Sequence, residues 1–424
     1  MAVPFCMRRK LTLIVTVAGL SCTNDTLPGG RSGLVTVFDS TTDTITARVE
    51  GQVPVPGLRT LEIVMRIAPA PDDTSLFADF NDFEVDAARR IWIYDYRDRR
   101  MFLFDSAGTL VRRVGRKGQG PGEFEQGNGM VALADTGIAF LDSRNARISF
   151  FAANGDFRSS FPVPSGFSTS DGLISDRSHT LYLRRPVTPP RQGEILGRMG
   201  LVRLGPDGTF SDSLLPPDLP VPRDTYIAVS QDGNSRSSTS SSHAPNYFWA
   251  WHPDGYFVAG HGGNYEIVLA RNDAKPILIR RTAPSVALDA EERSGEQESI
   301  TWNMRRTQPS WSWVGPDIPA TKAPLLGITV ARDGNIWARV AVPSERIPSA
   351  ELAPRQENGP PVNKFRSRAT YEVFAPDGTF LGRVPMPPRT SMLQADGEYL
   401  WAITRDDDDL PSVVRFRIVP ALGR

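Results

Sequence analysis

Phe83-Glu84-Val85-Asp86, Ile91-Trp92-Ile93-Tyr94, Met101-Phe102-Leu103-Phe104 and Leu110-Val111-Arg112-Arg113-Val114 follow one another in close succession. Each is a short β-prone segment, rich in branched or aromatic side chains and bounded by turn residues. Between the third and fourth, Asp105-Ser106-Ala107-Gly108 marks a tight turn, because Gly tolerates the positive φ that such hairpins require. Four consecutive antiparallel strands of this size make one propeller blade. The pattern then returns as Gly129–Leu133, Ile138–Leu141 and Arg147–Phe151, with Asn154-Gly155 as its outer turn. Gly108 and Gly155 are 47 residues apart, close to the roughly 40–50 residues of one blade.

Looser copies continue to the C-terminus. Leu181–Leu183, Leu201–Leu204 and Pro206-Asp207-Gly208 give a third, and Phe248–Trp251, Tyr256–Ala259 and Glu266–Ala270 a fourth with its turn at Asn272-Asp273. Ile328–Val330, Ile336–Arg339, Tyr371–Phe374 and Pro376-Asp377-Gly378 give a fifth. The last copy, Met392–Ala395, Tyr399–Ile403 and Val413–Ile418, is one strand short, while Leu61–Ile67 is an orphan strand ahead of the first blade. Pairing the two closes the ring and leaves no open edge. We therefore expect an all-β, six-bladed propeller of four-stranded antiparallel blades; five or seven blades would need a repeat lost or invented.

Ile91–Asp95 followed by Arg100–Asp105 resembles the NHL repeat, a strand, an Asp-led loop and a second strand. Val114-Gly115-Arg116-Lys117-Gly118-Gln119-Gly120-Pro121-Gly122-Glu123-Phe124 is similar to the inter-blade linker of those repeats. The likeness covers residues 80–160 best. It implies a bacterial six-bladed propeller related to the NHL and TolB-like groups, most of which have no assigned activity.

The composition fits such a scaffold. The 36 Gly and 36 Pro favour many turns and short strands over long helices. Equal numbers of basic and acidic residues, 48 each, argue against a nucleic-acid partner. Arg8-Arg9-Lys10, the apolar run Leu11–Leu20 and Ser21-Cys22 form an export-signal pattern, too short for an ordinary membrane span. Gly19-Leu20-Ser21-Cys22 resembles a bacterial lipobox, with Gly19 where Leu is usual; the alternative is an ordinary signal peptide cut near Cys22. Cleavage after residue 21 leaves 45 basic against 48 acidic residues, a net charge of −3. Only Cys6 and Cys22 exist, so the mature chain has no disulfide and no Cys-based metal site. The expected organisation is a signal peptide at 1–21, a tether at 22–58 behind a lipidated Cys22, and the propeller at 59–424; within the tether Leu34–Phe38 is a short β-like run and a candidate to dock on the domain, with no partner assigned. The expected location is the bacterial envelope, as a periplasmic or outer-membrane lipoprotein, and the expected state is monomeric.

Two insertions interrupt the repeat. Ser235–Ser242 reads as a flexible loop. Residues 285–307 read as a surface helix capped by Ser285 and reaching Met304, followed by the Trp311-Ser312-Trp313 loop. Arg185–Gln192 and Ala353–Pro361 are Pro-rich loops in blades three and five.

Candidate chemistry is sparse. Gly115–Gly122 lacks the Gly-Lys-Ser/Thr that opens a helix in a phosphate loop, so it reads as an inter-blade turn. His252 and His261 flank one hairpin and are weak candidates for Zn²⁺ or Cu²⁺, with no obvious third ligand. Asp86, Asp135, Asp176, Asp254, Asp333 and Asp396 recur at innermost turns, where Asp bonds its own backbone. Gluconolactonase-like propellers hold a divalent cation in the central channel with carboxylate and Asn side chains from different blades; against that comparison the turn role of these aspartates is the reading taken. Asp406–Asp409 is a solvated acidic run, with Ca²⁺ as the alternative. Trp302, Trp311, Trp313, Trp249 and Trp251 cluster around the insertions as candidate binding residues, the alternative being that they cover the core. No catalytic constellation and no cofactor is predicted. The reading is an envelope-anchored scaffold for a protein, peptide or glycan partner, the alternative a metal-dependent propeller hydrolase or lyase.

Overall fold

The computed structural model describes residues 34–51, 58–68, 80–135, 137–163, 172–190, 197–205, 207–222, 224–352, 354 and 356–422. The expected signal peptide, Cys22 and the N-terminal part of the tether lie outside these residues.

Six four-stranded blades are present. Blade one is Phe80–Val85, Ile91–Asp95, Arg100–Phe104 and Leu110–Val114; blade two is Gly127–Ala132, Ile138–Asp142, Arg147–Phe151 and Phe157–Pro162. Blade three is Gly172–Ser175, Leu181–Pro186, Met199–Leu204 and Phe210–Leu214; blade four is Tyr247–His252, Tyr256–His261, Glu266–Ala270 and Ile277–Arg281. Blade five is Leu325–Val330, Ile336–Val340, Thr370–Phe374 and Phe380–Pro385; blade six is Thr390–Asp396, Tyr399–Arg405 and Pro411–Val419, completed by Thr60–Ile67. That closing strand pairs antiparallel with the last one, Leu61 opposite Ile418 and Ile67 opposite Val413, as the orphan-strand reading requires. The first strands of blades one and two, two and three, and four and five approach one another.

Three expectations change. The tether does not run unbroken to residue 58: Val35–Ser40 and Ile45–Glu50 form a hairpin. Its second strand adds in parallel to the outer strand of blade four, Ile45 opposite Ile277, and Ala47 and Val49 are fully buried there. Ser235–Ser242 is not a free loop, since Arg236–Thr239 pairs with Tyr226–Val229. The insertion before blade five does hold a helix, α1 (Ala290–Thr307), but its cap is Asp289, whose carboxylate accepts from Glu291 N at 2.7 Å. Ser285 lies upstream of that cap, before the short strand Val286–Ala287. An Asp at the cap and Glu291 and Glu292 in the first turn satisfy the exposed N–H groups and suit the helix dipole.

The apolar clusters lie between blades. At the seam of blades one and two, Trp92, Tyr94, Phe124, Phe140 and Phe151 interlock, with Phe124 and Phe140 edge-to-face at 5.0 Å. The linker Val114–Phe124 ends on Phe124 and is itself a turn: Arg116 O accepts from Phe124 N, and Arg147 donates to the carbonyls of Gln119, Gly120 and Glu123. Gly115 has φ +72°, and a Cβ there would run into the Phe124 ring. The seam of blades three and four is thinner, with Tyr182, Leu201 and Phe257 buried and Trp249 and Trp251 half-buried beside them.

Candidate functional site on the insertion face

Strand alternation sends the connections to two faces. First-to-second and third-to-fourth strand turns share one face, and these are short. Asp86 Oδ1 accepts from Ala88 N and Arg90 N, Asp176 Oδ1 from Thr180 N, and Asp333 Oδ1 from Asn335 N. Asp135 does the same for Gly137 N, so four of the recurring aspartates are occupied in their own turns. Asp254 instead pairs with Arg177 at 2.8 Å.

Every long connection of blades three to five leaves from the other face: 187–198, 215–246, 282–324 and 341–369. Two of them build a cap. The hairpin of Tyr226–Val229 and Arg236–Thr239 packs on α1 through Tyr226, Ala228, Ile300, Met304 and Trp311. Trp311 is 4% exposed and donates its indole N–H to Ile227 O at 2.9 Å. The N-terminal half of α1 is tied down by charge. His243 Nε2 lies 2.8 Å from Glu296, while Lys322 Nζ donates to Ser344 Oγ, Ser367 Oγ and Val342 O. Burial opposes ionisation of Glu296, but bonds from His243 and Ser242 outweigh it and hold the carboxyl below its usual range.

Between these insertions and the ring lie three adjoining cavities. One of about 830 Å³ lies on the insertion side of blades three, four and five, against Arg184, Arg198, Tyr247, Trp249, Arg339 and Tyr371. A second, of about 370 Å³, is walled by Ser238–Ser242 and Asn246. The third, of about 820 Å³, lies between α1 and the blade-five insertion. Arg339 lines all three. It stands on the second strand of blade five between Gly327 and Tyr371, and its side chain is exposed. Its guanidinium makes no hydrogen bond or ion pair with any described residue. Arg184 lies over the Trp249 ring at 5.3 Å, and Arg198 donates to Pro216 O at 3.2 Å. Burial pushes the Tyr247 phenol up to about 12, so it stays neutral and donates to Pro217 O at 2.6 Å.

The opposite end of the centre differs. A cavity of about 450 Å³ is lined from all six blades, by groups such as Val131, Leu173, Trp251 and Gln394. Glu84 and Arg332 form an ion pair across it, and Gln394 donates to Glu84 at 3.4 Å. Of its other charged groups, Asp176 is held in its own turn and Arg177 pairs with Asp254. No group of three or more His, Cys, Asp or Glu side chains that could hold a metal is gathered among the described residues.

The five tryptophans do not form one site. Trp249 lines the large cavity of the insertion face and Trp251 the central one. Trp311 and Trp313 belong to the cap core, and Trp302 donates from α1 to Asn358 O at 3.3 Å. The two histidines fall at opposite ends of their hairpin, His252 opposite Tyr256 and His261 opposite Tyr247, so the nine-residue spacing does not bring them together. His252 is fully buried with Nε2 3.0 Å from Gly334 O. Within the acidic run Asp406 caps its turn through Leu410 N and Asp409 pairs with Arg389, while Asp407 and Asp408 are exposed. Sequence reading missed Arg339, Arg184 and Arg198, because nothing in their neighbourhood marks an arginine that faces a cavity.

Comparison with known proteins bears on the fold. A family model described as a 6-bladed beta-propeller, DUF5128, matches residues 73–170. Among solved structures, a member of the DUF4221 family from Bacteroides vulgatus is 10% identical, with 85% of this chain and 99% of that chain covered and a TM-score of 0.48. A catalytically inactive virginiamycin B lyase from Staphylococcus aureus, with quinupristin, is 11% identical over 85% of this chain and 100% of that one, TM-score 0.41. A gluconolactonase from Xanthomonas campestris is 14% identical over 84% and 98%, TM-score 0.38. A search of the curated proteins finds no match.

Proposed function

We propose that this propeller is a non-catalytic binding protein whose ligand seats on the insertion face, in the cleft that meets at Arg339. The observation that carries this reading is the unpartnered guanidinium of Arg339 at the junction of three cavities. A pocket with a few convergent polar groups and aromatic walls is the usual form of a ligand site. The central cavity supports a catalytic reading less well, since Glu84 and Arg332 neutralise each other there. A divalent-metal hydrolase or lyase needs three or four converging ligands. The test screens the full chain against immobilised peptides and glycans, then repeats each hit with Arg339→Gln and with the paired change Glu84→Gln/Arg332→Gln. Hits lost only in Arg339→Gln support the insertion face; hits lost only in the paired variant overturn it.

For location, the proposal is export and lipid attachment at Cys22, supported by the basic start, the apolar run and Ser21-Cys22. Among the described residues no helix is long and apolar enough to cross a membrane. Cys22→Ser should release the protein from the membrane fraction; a variant that stays membrane-bound contradicts lipid attachment.

A further inference from the structure

We infer that the outer edge of Val35–Ser40 docks a second copy of this chain, strand against strand about a two-fold axis. This goes beyond the ligand reading and departs from the monomer expected from the sequence. The outer edges of the ring supply the first argument. An exposed strand edge recruits further strands unless charge, Pro or a bulge blunts it. In blades one, two, three, five and six the outermost strand carries a charge, respectively Arg112, Arg158, Asp212, Arg383 and Glu62. Each of those strands also meets its neighbour through a register shift. Blade four is different: the N-terminal hairpin covers its outer strand, and the hairpin's own outer strand has an unbroken register. Its one charge, Asp39, lies near its end and pairs with Arg48 at 3.4 Å. Val35, Val37 and Phe38 are 58%, 49% and 49% exposed, and among the described residues no strand lies beyond them.

The backbone says what the edge would take. Ile45 N donates to Pro276 O and Val49 O accepts from Thr282 N, so Ile45, Ala47 and Val49 bond towards blade four. Thr46, Arg48 and Glu50 are left for Asp39, Val37 and Val35, and the N–H and C=O of Thr36, Phe38 and Ser40 point outward. A row of outward N–H and C=O groups calls for another strand, and hydrocarbon cannot answer it. The sequence is self-complementary when the axis passes through Thr36. Thr36 then faces Thr36 of the second copy, Phe38 faces its Leu34 in hydrogen-bonded pairs, and Val35 faces its Val37. No charge is set against an apolar side chain, and Leu34 is already held against the core of blades four and five. Such a contact is isologous and closes at two copies. With Cys22 lipidated, the 12 residues between it and Val35 reach about 40 Å, so copies in one membrane meet at high effective concentration.

The experiment is sedimentation equilibrium of the full chain carrying Cys6→Ser and Cys22→Ser. A six-residue edge is smaller than a standard interface, so a reversible dimer should form only as the concentration approaches about 1 mM. Phe38→Pro removes an outward N–H from each copy and leaves the hairpin's own ladder intact, so it should weaken the dimer at least about tenfold. Val35→Lys, which faces Glu50 within the hairpin, should fold and weaken it as well. Thr36→Cys in the same background should oxidise to a disulfide-linked dimer, whereas Val111→Cys on the outer strand of blade one should not. A chain that stays monomeric overturns the proposal. In that monomer, slow exchange of the Thr36 and Phe38 amides would mean that its own chain covers the edge. Binding to phosphatidylglycerol vesicles that Phe38→Pro abolishes would mean a lipid surface instead. A dimer that ignores both substitutions, or that cross-links equally at Val111→Cys, overturns the choice of surface.

Discussion

Blades one and two differ from blades three to five as a framework differs from a working surface. The first pair keeps the repeat: the strands join through tight turns, and the seam holds Tyr94, Phe124, Phe140 and Phe151 in ring-to-ring contact, with Trp92 buried in the same cluster. The second group breaks it. Its seam between blades three and four is thin, with Tyr182, Leu201 and Phe257 buried, although that between blades four and five is dense, with Tyr265, Leu325 and Phe374 fully buried; its long connections all leave on one face. Aromatic density marks the seam that keeps the repeat, and departures from the repeat build the cleft. The unpaired guanidinium of Arg339 stands on this second group, exposed to the cleft.

The strongest way to test that division is Phe124→Ala. Emptying this fully buried site should cost about 3–5 kcal/mol in urea unfolding of the whole chain, with ligand binding unchanged at temperatures where the variant is folded. Trp311→Ala should cost about 3 kcal/mol, but locally: hydrogen exchange should accelerate in Tyr226–Thr239 and Ala290–Thr307 while the blades stay protected. Uniform acceleration would show that cap and ring are one cooperative unit.

Asp82 gives a smaller effect with a definite sign. It stands on the innermost strand of blade one, and its Oδ2 has no hydrogen-bond partner beside the Gly127 backbone. Burial pushes this carboxyl up to about 6, against about 3.9 in the unfolded chain. Between those values the folded state holds the extra proton, so stability falls as pH rises through that window and stays lower above it. Asp82→Asn should therefore gain roughly 2–3 kcal/mol at pH 8 and almost nothing at pH 4, measured by denaturant unfolding at both. Smallest of all, Arg339→Gln should change stability by less than about 0.5 kcal/mol while removing binding. A large loss of stability would mean that Arg339 belongs to the framework.

Much of the framework was legible because it obeys period-two patterning and repeats it. The orphan strand Leu61–Ile67 could be matched to the incomplete last blade by counting alone, and the register confirms the pairing. The cap was legible only as irregularity. Asp289 rather than Ser285 starts α1, because Val286–Ala287 is first drawn into a short strand with Thr321–Lys322. Ser235–Ser242 looked like a flexible loop, yet Ser237 bonds Thr307 and Ser241 bonds Glu296, partners far away in the chain. The tryptophans drew attention as residue types, whereas their roles depend on which seam or cavity each strand delivers them to. Arg339 carries no local signal at all; its importance comes from Gly327 and Tyr371 on the neighbouring strands and from insertions that begin elsewhere.

The most direct test of the insertion face is hydrogen exchange on the full chain with and without a ligand taken from the peptide and glycan screen. Slowed exchange at Leu181–Pro186, Tyr247–Trp249 and Ile336–Val340, with the tight-turn face unchanged, is the predicted result. Protection confined to Glu84–Ala87, Arg332 and Gln394 would place the ligand in the central cavity and contradict it.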